Sequence, residues 1–162
     1  MPTEPMPDGG PPVEADQAIT LRGFERSLPM ALMRAREAVM QGFRPHLAAH
    51  GLTEQQWRVL RALDAAPGSL AVGQLADATF LLGPSLSRMV ASLGERGLLR
   101  RNVADHDGRR ADLTITAAGR RLVATIAPDS EAWYTRIEAQ LGPGDIDRLH
   151  ELLDRLSELD AD

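Results

Sequence analysis

The chain of 162 residues contains no cysteine and no lysine. Without thiols it can build no disulfide framework, no thiolate metal site and no thiol redox switch. Without lysine it can run no lysine-dependent catalysis, and its basic side chains are arginines with a few histidines. No run of about 18 or more apolar residues occurs, so no segment reads as a membrane span. The N-terminus lacks the basic and apolar regions of a signal peptide, and a cytoplasmic protein is expected. There is also no P-loop, no H-E-x-x-H and no G-x-S-x-G, and the acids of the C-terminal helices are spaced as on a solvated face. An enzyme is therefore not expected, and no cofactor is.

What the chain does have is a core and an uneven charge. Apolar residues make up 43% of it, enough for a folded domain with a helical extension. The formal net charge is −5, which by itself argues against a nucleic-acid binder. Its distribution argues the other way. Between Arg88 and Arg121 eight arginines face four acids, whereas from Leu122 onward ten acids face three arginines. A local positive patch governs nucleic-acid binding more than total charge does.

Residues 1–20 hold five of the eleven prolines, two adjacent glycines and four acids with no basic residue, the composition of a disordered tail. Residues 21–50 then read as an N-terminal helix, with Leu28, Leu32, Ala35, Val39, Phe43 and Leu47 near helical spacing and His50-Gly51 as its stop. Within residues 51–116, Thr53 and Gln56 are spaced as a capping box. Trp57, Leu60 and Leu63 follow as an apolar side, and Pro67-Gly68 ends that helix. A short helix over Val72–Ala78 comes next. Gly83-Pro84 opens another with Leu86, Val90 and Leu93 inward and Gly97 as its stop. Leu98–Val103 and Ala111–Ile115 are strand-like around a polar turn, Asp105 to Gly108. In residues 117–162 Thr116 caps a long helix, which Pro128 should kink. Gly142-Pro143 starts a last helix with Ile146, Leu149, Leu153, Leu156 and Leu159 in a stripe.

The order helix, turn, helix, arginine-tipped hairpin is what double-stranded DNA recognition needs. Pro84, Ser85, Ser87 and Arg88 lie at the start of the second helix, where hydroxyls and free N–H groups can hold phosphate and an arginine one turn in can reach guanine. Arg109 and Arg110 sit at the hairpin tip, with Asp107 placed to orient Arg109, and arginine is favoured in a narrow minor groove. A solvated helix and a charged turn would account for either feature alone, but not for their uninterrupted succession.

The segments Leu52-Thr-Glu-Gln-Gln-Trp57, Gly83-Pro-Ser-Leu-Ser87, Glu95-Arg-Gly-Leu98, and Asp107-Gly-Arg-Arg110 with Leu113-Thr-Ile-Thr116 resemble the MarR family of winged helix-turn-helix regulators. Ser27-Leu28, Ala35-Arg-Glu-Ala38, Phe43-Arg-Pro45 and His50-Gly51 resemble one branch, the regulators of homoprotocatechuate and related aromatic-acid catabolism. The resemblance covers nearly the whole chain after the tail. It implies a mainly α (α+β) fold, a winged helix-turn-helix domain between N- and C-terminal dimerisation helices. It also implies a homodimer, a recognition helix from Pro84 and a wing tip at Arg109, with repression as the expected mode. The terminal stripes agree independently, since one small domain cannot bury them, and a two-fold pair would read a palindromic operator.

In such proteins an aromatic acid commonly binds between the DNA module and the dimerisation helices. Arg36 is the leading candidate, a cation beside an apolar stripe that needs an anionic partner, either a ligand carboxylate or a protein acid across the dimer. Trp57 could stack on a ring or simply belong to the core. Ser27, Arg34 and His50 bracket the same helix. His46 and His50 have i, i+4 spacing, but no further ligand is evident and no metal is expected. The expectation is a repressor released by a small phenolic or heteroaromatic acid; the alternative is an effector-independent regulator or architectural protein.

Overall fold

The computed structural model describes residue 21, residues 23–103 and residues 111–159. The N-terminal tail, the hairpin turn, His106, Asp107, Arg109 and Arg110 lie outside the described residues. The chain divides into two compact units, residues 1–35 and 36–162. In the first, a 3-10 turn (Phe24–Arg26) leads into helix α1 (Leu28–Ala49), which continues into the second. Helices α2 (Glu54–Ala65), α3 (Val72–Thr79), α4 (Gly83–Glu95), α5 (Ala117–Leu141) and α6 (Pro143–Ser157) follow, with strands β1 (Leu70–Ala71), β2 (Leu99–Val103) and β3 (Ala111–Ile115) between them. The fold is mostly helical with one small antiparallel sheet of order β1-β3-β2.

Local signals set most boundaries. The capping box at α2 is complete: Thr53 Oγ1 accepts from the Gln56 N–H at 3.2 Å, and Gln56 Oε1 accepts from the Thr53 N–H at 3.0 Å. The same Gln56 is buried and donates its Nε2 to Ser92 Oγ at 3.1 Å, so one side chain caps α2 and ties it to α4. Gly97 ends α4 with φ +69°, a left-handed conformation that glycine adopts without strain. Pro128 falls inside α5, which spans Ala117–Leu141. Strand β1 was not expected. It is two residues long, too short for any periodicity, and exists only because Leu70 and Ala71 pair with Leu113 and Asp112 of β3.

The core lies where α2, α3, α4, the sheet and the first half of α5 meet. Leu60, Leu63, Leu75, Leu86, Leu93, Leu113 and Ile126 have no measurable exposure, and each such side chain contributes about 1.5–3 kcal/mol of burial. From α1, Phe43 and Leu47 join this core, and Trp133 of α5 crosses Gly42, its Nε1 donating to the Val39 carbonyl at 2.9 Å. The terminal stripes behave differently. Leu28 and Leu32 of α1 stay exposed, and in α6 no residue is buried, with Leu149, Leu152 and Leu153 facing out.

The start of α5 shows how closely the sheet and helix meet. Thr116 donates its Oγ1 to the Gly97 carbonyl at 2.7 Å and accepts from the Gly119 N–H at 3.1 Å. A Cβ at Gly119 would overlap the backbone carbonyl of Leu98. Gly119→Ala is therefore expected to destabilise the fold by about 2 kcal/mol or more, because backbone cannot rotate away as a side chain can. Gly73→Ala on α3, where nothing lies within 4 Å of the added carbon, should leave stability unchanged or raise it by up to about 1 kcal/mol. Urea denaturation of the two variants beside the parent checks both signs.

Candidate functional site

Two surfaces carry the candidate residues, and α3 joins them. The first is the beginning of α4. Helix α3 ends in a left-handed cap at Phe80 (φ 51°, ψ 35°), a non-glycine residue in a conformation costing about 1 kcal/mol. That reversal swings the chain through Leu81, which is buried, and into α4 at Gly83 with Pro84 in the first turn. No side chain caps α4, so its first N–H groups have no side-chain acceptor and point at whatever lies beyond. Pro84, Ser87 and Arg88 are exposed there, while Ser85 is half-buried. Arg88 makes no hydrogen bond or ion pair among the described residues.

The strand leading to the hairpin tip runs beside this helix. Ser87 and Ala91 of α4 and Leu99 and Arg101 of β2 line one groove of about 300 Å³. The β2–β3 ladder continues to Val103↔Ala111, the last described pair before the hairpin turn. Arg100 and Arg101 project from β2 as exposed cations, so the base of the hairpin adds positive charge beside the α4 face. Their adjacency in a strand puts one on each face, so no periodic pattern in the sequence marks them as a site.

The second surface is an open cleft of about 520 Å³ between α1, α2, the end of α3 and α5. Arg36 and Trp57, both candidates from the sequence, line it together. Phe43, Tyr134 and Met40 give it apolar walls, with Phe43 and Tyr134 edge to face at 5.1 Å between ring centres. Trp57 is half-buried: one side packs against the core while the Arg61 guanidinium lies 5.9 Å from its ring centre. Both readings of this tryptophan thus describe part of it.

Arg36 has an anionic partner within its own chain, Glu54. Glu54 is mostly buried and also pairs with Arg58 at 3.3 Å and Arg44 at 3.5 Å. Arg58 reaches further, its Nη1 donating to the Thr79 carbonyl at the end of α3 at 2.8 Å. One guanidinium therefore links the cleft to the turn that aims α4. Arg44 also forms a two-pronged bond to Glu37. This hydrogen bond, aided by the nearby charges of Arg44 and Arg36, holds the Glu37 carboxyl below its usual range and raises Arg44. The stabilisation from that pair is present at neutral pH and is lost as the pH falls through the lowered Glu37 value.

The remaining candidates are engaged locally. Ser27 donates its Oγ to the Phe24 carbonyl at 2.8 Å, and Arg34 donates to the Glu25 carbonyl at 2.8 Å. His50 is not among the residues lining the cleft; its carbonyl accepts from Arg96 at 3.2 Å. His46 lies 3.7 Å from Asp129, and no group of three metal-ligating side chains occurs among the described residues. Glu54, Arg58 and Arg61 escaped the sequence reading. The signal for them was present, since Glu54, Trp57, Arg58 and Arg61 recur at i, i+3, i+4 and i+7 and must share one face of α2.

A helix pair whose second member opens uncapped, followed by a strand pair rich in arginine, defines a winged helix-turn-helix DNA-binding protein. The comparisons place it further. The MarR family profile matches residues 50–110. The chain is 37% identical to the homoprotocatechuate degradative operon repressor of Escherichia coli, over 79% of this chain and 86% of that one. Its fold is similar to that of NadR in complex with 4-hydroxyphenylacetate, with TM-score 0.74, 34% identity, and coverage of 88% of this chain and 100% of that one. It is also similar to the transcriptional repressor CouR bound to a 23-mer DNA duplex, with TM-score 0.75, 30% identity, and coverage of 86% and 99%. The chain belongs to the MarR family of transcriptional regulators and is not an enzyme. Among its described residues no helix is long and apolar enough to cross a membrane.

Arg88→Ala is expected to weaken DNA binding and flatten the preference among bases, by about 1–3 kcal/mol at the position it reads. Arg101→Ala, a strand cation beside the same face, should weaken binding evenly across sequences and reduce its salt dependence. Fluorescence anisotropy on the chain's own promoter fragment and on scrambled DNA at two salt concentrations separates them.

Proposed function

We propose that this chain is a dimeric repressor that leaves a palindromic operator when a small aromatic carboxylate, phenolic or heteroaromatic, enters the cleft beside Arg36 and Trp57. The observation that carries the reading is the cleft itself. It combines guanidinium groups, aromatic walls and, through Arg58, a hydrogen bond to the last residue of α3. Pro84, Ser85, Ser87 and Arg88 are assigned to the major groove, and Asp107, Arg109 and Arg110 to the minor groove beside it. The terminal helices are assigned to dimerisation, because their exposed leucines need a second apolar surface. Support also comes from what the similar proteins are: an operon repressor, NadR solved in complex with 4-hydroxyphenylacetate, and a transcriptional repressor solved on DNA.

The chemistry of release follows from Glu54. An incoming carboxylate can replace Glu54 as the partner of Arg36, exchanging one charge-assisted bond for another, so the exchange itself changes little free energy. The ring gains by leaving water for Trp57, Phe43 and Tyr134. Once Glu54 is freed, its pull on Arg58 changes, and with it the anchor on Thr79 that sets the angle of α4. A second reading is favoured by one specific feature: Arg36 already has Glu54, so the cluster could brace the fold with no effector at all.

A panel of benzoates, phenylacetates, cinnamates and pyridine carboxylates decides between them, since a ligand of the native state raises the melting temperature by mass action. The expected result is a rise with at least one acid and release of promoter DNA by the same acid in a gel shift. Arg36→Ala should keep DNA binding but lose that release. For the dimer, sedimentation should give twice the chain mass, and Leu153→Glu on α6 should shift it toward the single chain and weaken operator binding more than about tenfold, because a charge replaces a leucine that the proposed dimer would bury. A parent protein that sediments as a single chain, or a panel with no response, defeats the corresponding half of the proposal.

A further inference from the structure

Behind the cleft lies a recess that the DNA and charge arguments leave unused. It has a volume of about 70 Å³, shares Phe43, Trp57, Arg61 and Tyr134 with the cleft, and is closed by Ala127, Ser130 and Glu131 of α5. Ser130 is only 6% exposed, and its Oγ has no hydrogen-bond partner among the described residues. It is the one buried side-chain polar atom among them in that condition. Other hydroxyls on the same helix are satisfied: Thr125 donates to the Arg121 carbonyl at 2.9 Å and Thr135 to the Glu131 carbonyl at 3.0 Å, each bonding back four residues. Ser130 makes no such bond, and it is one of the residues that line the recess. A buried, unpaired hydroxyl is destabilising and calls for an explanation.

Resting on the effector reading above, we infer that Ser130 is a specificity-determining residue, whose hydroxyl bonds a ring hydroxyl of the aromatic acid seated in the cleft. The charges divide the two ends of such a ligand. The cleft carries Arg36, Arg58 and Arg61 against the single acid Glu54, whereas the recess shares only Arg61 and sets Glu131 against it. A carboxylate is favoured at the first and a neutral polar group at the second. The volume agrees: it exceeds the roughly 30 Å³ that one water occupies but is too small to take a whole aromatic acid. A ligand without a ring hydroxyl leaves the Ser130 hydroxyl buried and unpaired, and a site built to bond a hydroxyl discriminates against the analogue lacking it.

Isothermal titration of the full chain with 4-hydroxyphenylacetate against phenylacetate, and with 3- and 4-hydroxybenzoate against benzoate, reads the effect directly. The parent is expected to bind a hydroxylated member about five- to tenfold more tightly than its unsubstituted partner, the scale of one net buried hydrogen bond. Ser130→Ala should erase that ratio while leaving the unsubstituted acid within about twofold, since alanine removes only the hydroxyl. Without any ligand, Ser130→Ala should melt at the same temperature or higher, because an unsatisfied hydroxyl has gone. A preference that survives in Ser130→Ala, a parent that does not distinguish the pairs, or a lower ligand-free melting temperature each overturns the assignment and leaves the effector reading standing. Failure of the parent to bind any of these acids, or any of the wider panel, while it still shifts promoter DNA overturns the effector reading, and this inference with it.

Discussion

The cluster around Glu54 is the contact on which the rest of the molecule turns. Its carboxylate sits in the first turn of α2, where the helix dipole favours negative charge, and it draws Arg36 and Arg44 of α1 and Arg58 of α2 to one point. Because the acid is mostly buried while the arginines are partly exposed, its loss would leave three cations facing one another. Arg58 then carries the cluster to the end of α3. A change in charge at the cleft therefore has a direct hydrogen-bonded route to the end of α3, from which the chain turns into α4. That route is short, two side chains long, and it needs no diffuse network.

Charge is segregated for the same purpose. An acidic protein can still present a basic face, and this chain gathers eight of its 18 arginines between Arg88 and Arg121 and ten of its 23 acids beyond Leu122. Arg88, Arg100 and Arg101 stand exposed on α4 and β2, and Arg101 lines the groove between them. Acids gathered on the C-terminal helices repel phosphate there, which favours one mode of docking over others.

Apolar surface is divided as clearly. The stripes of α2, α3 and α4 close on a single core, and those of α1 and α5 do so in part, through Phe43, Leu47, Val123 and Ile126. The stripe of α6 closes least, with Ile146 and Leu156 only half-buried. Leu149, Leu152 and Leu153 remain 44%, 48% and 37% exposed, a distribution that water does not favour in a finished surface. Aromatic residues are few, and several of them, Phe43, Trp57, Phe80 and Tyr134, gather around one cleft.

The sequence by itself determined the helices and their ends, because those depend on neighbours within four residues. Thr53 with Gln56, Pro84, Gly97, Thr116 and Gly142 each act through a local bond or a local φ, and each falls at the boundary its chemistry requires. It also determined the order of the helix-turn-helix and hairpin elements, which is a matter of succession. Only the tertiary structure decided the partners. That Arg36 meets Glu54, that Leu70 pairs with Leu113, that Trp133 lies over Gly42 and that Ser130 is left without a bond all join residues far apart in the chain. Such contacts are selected by how whole helices pack, and packing depends on every side chain in the interface rather than on any periodic pattern along one of them.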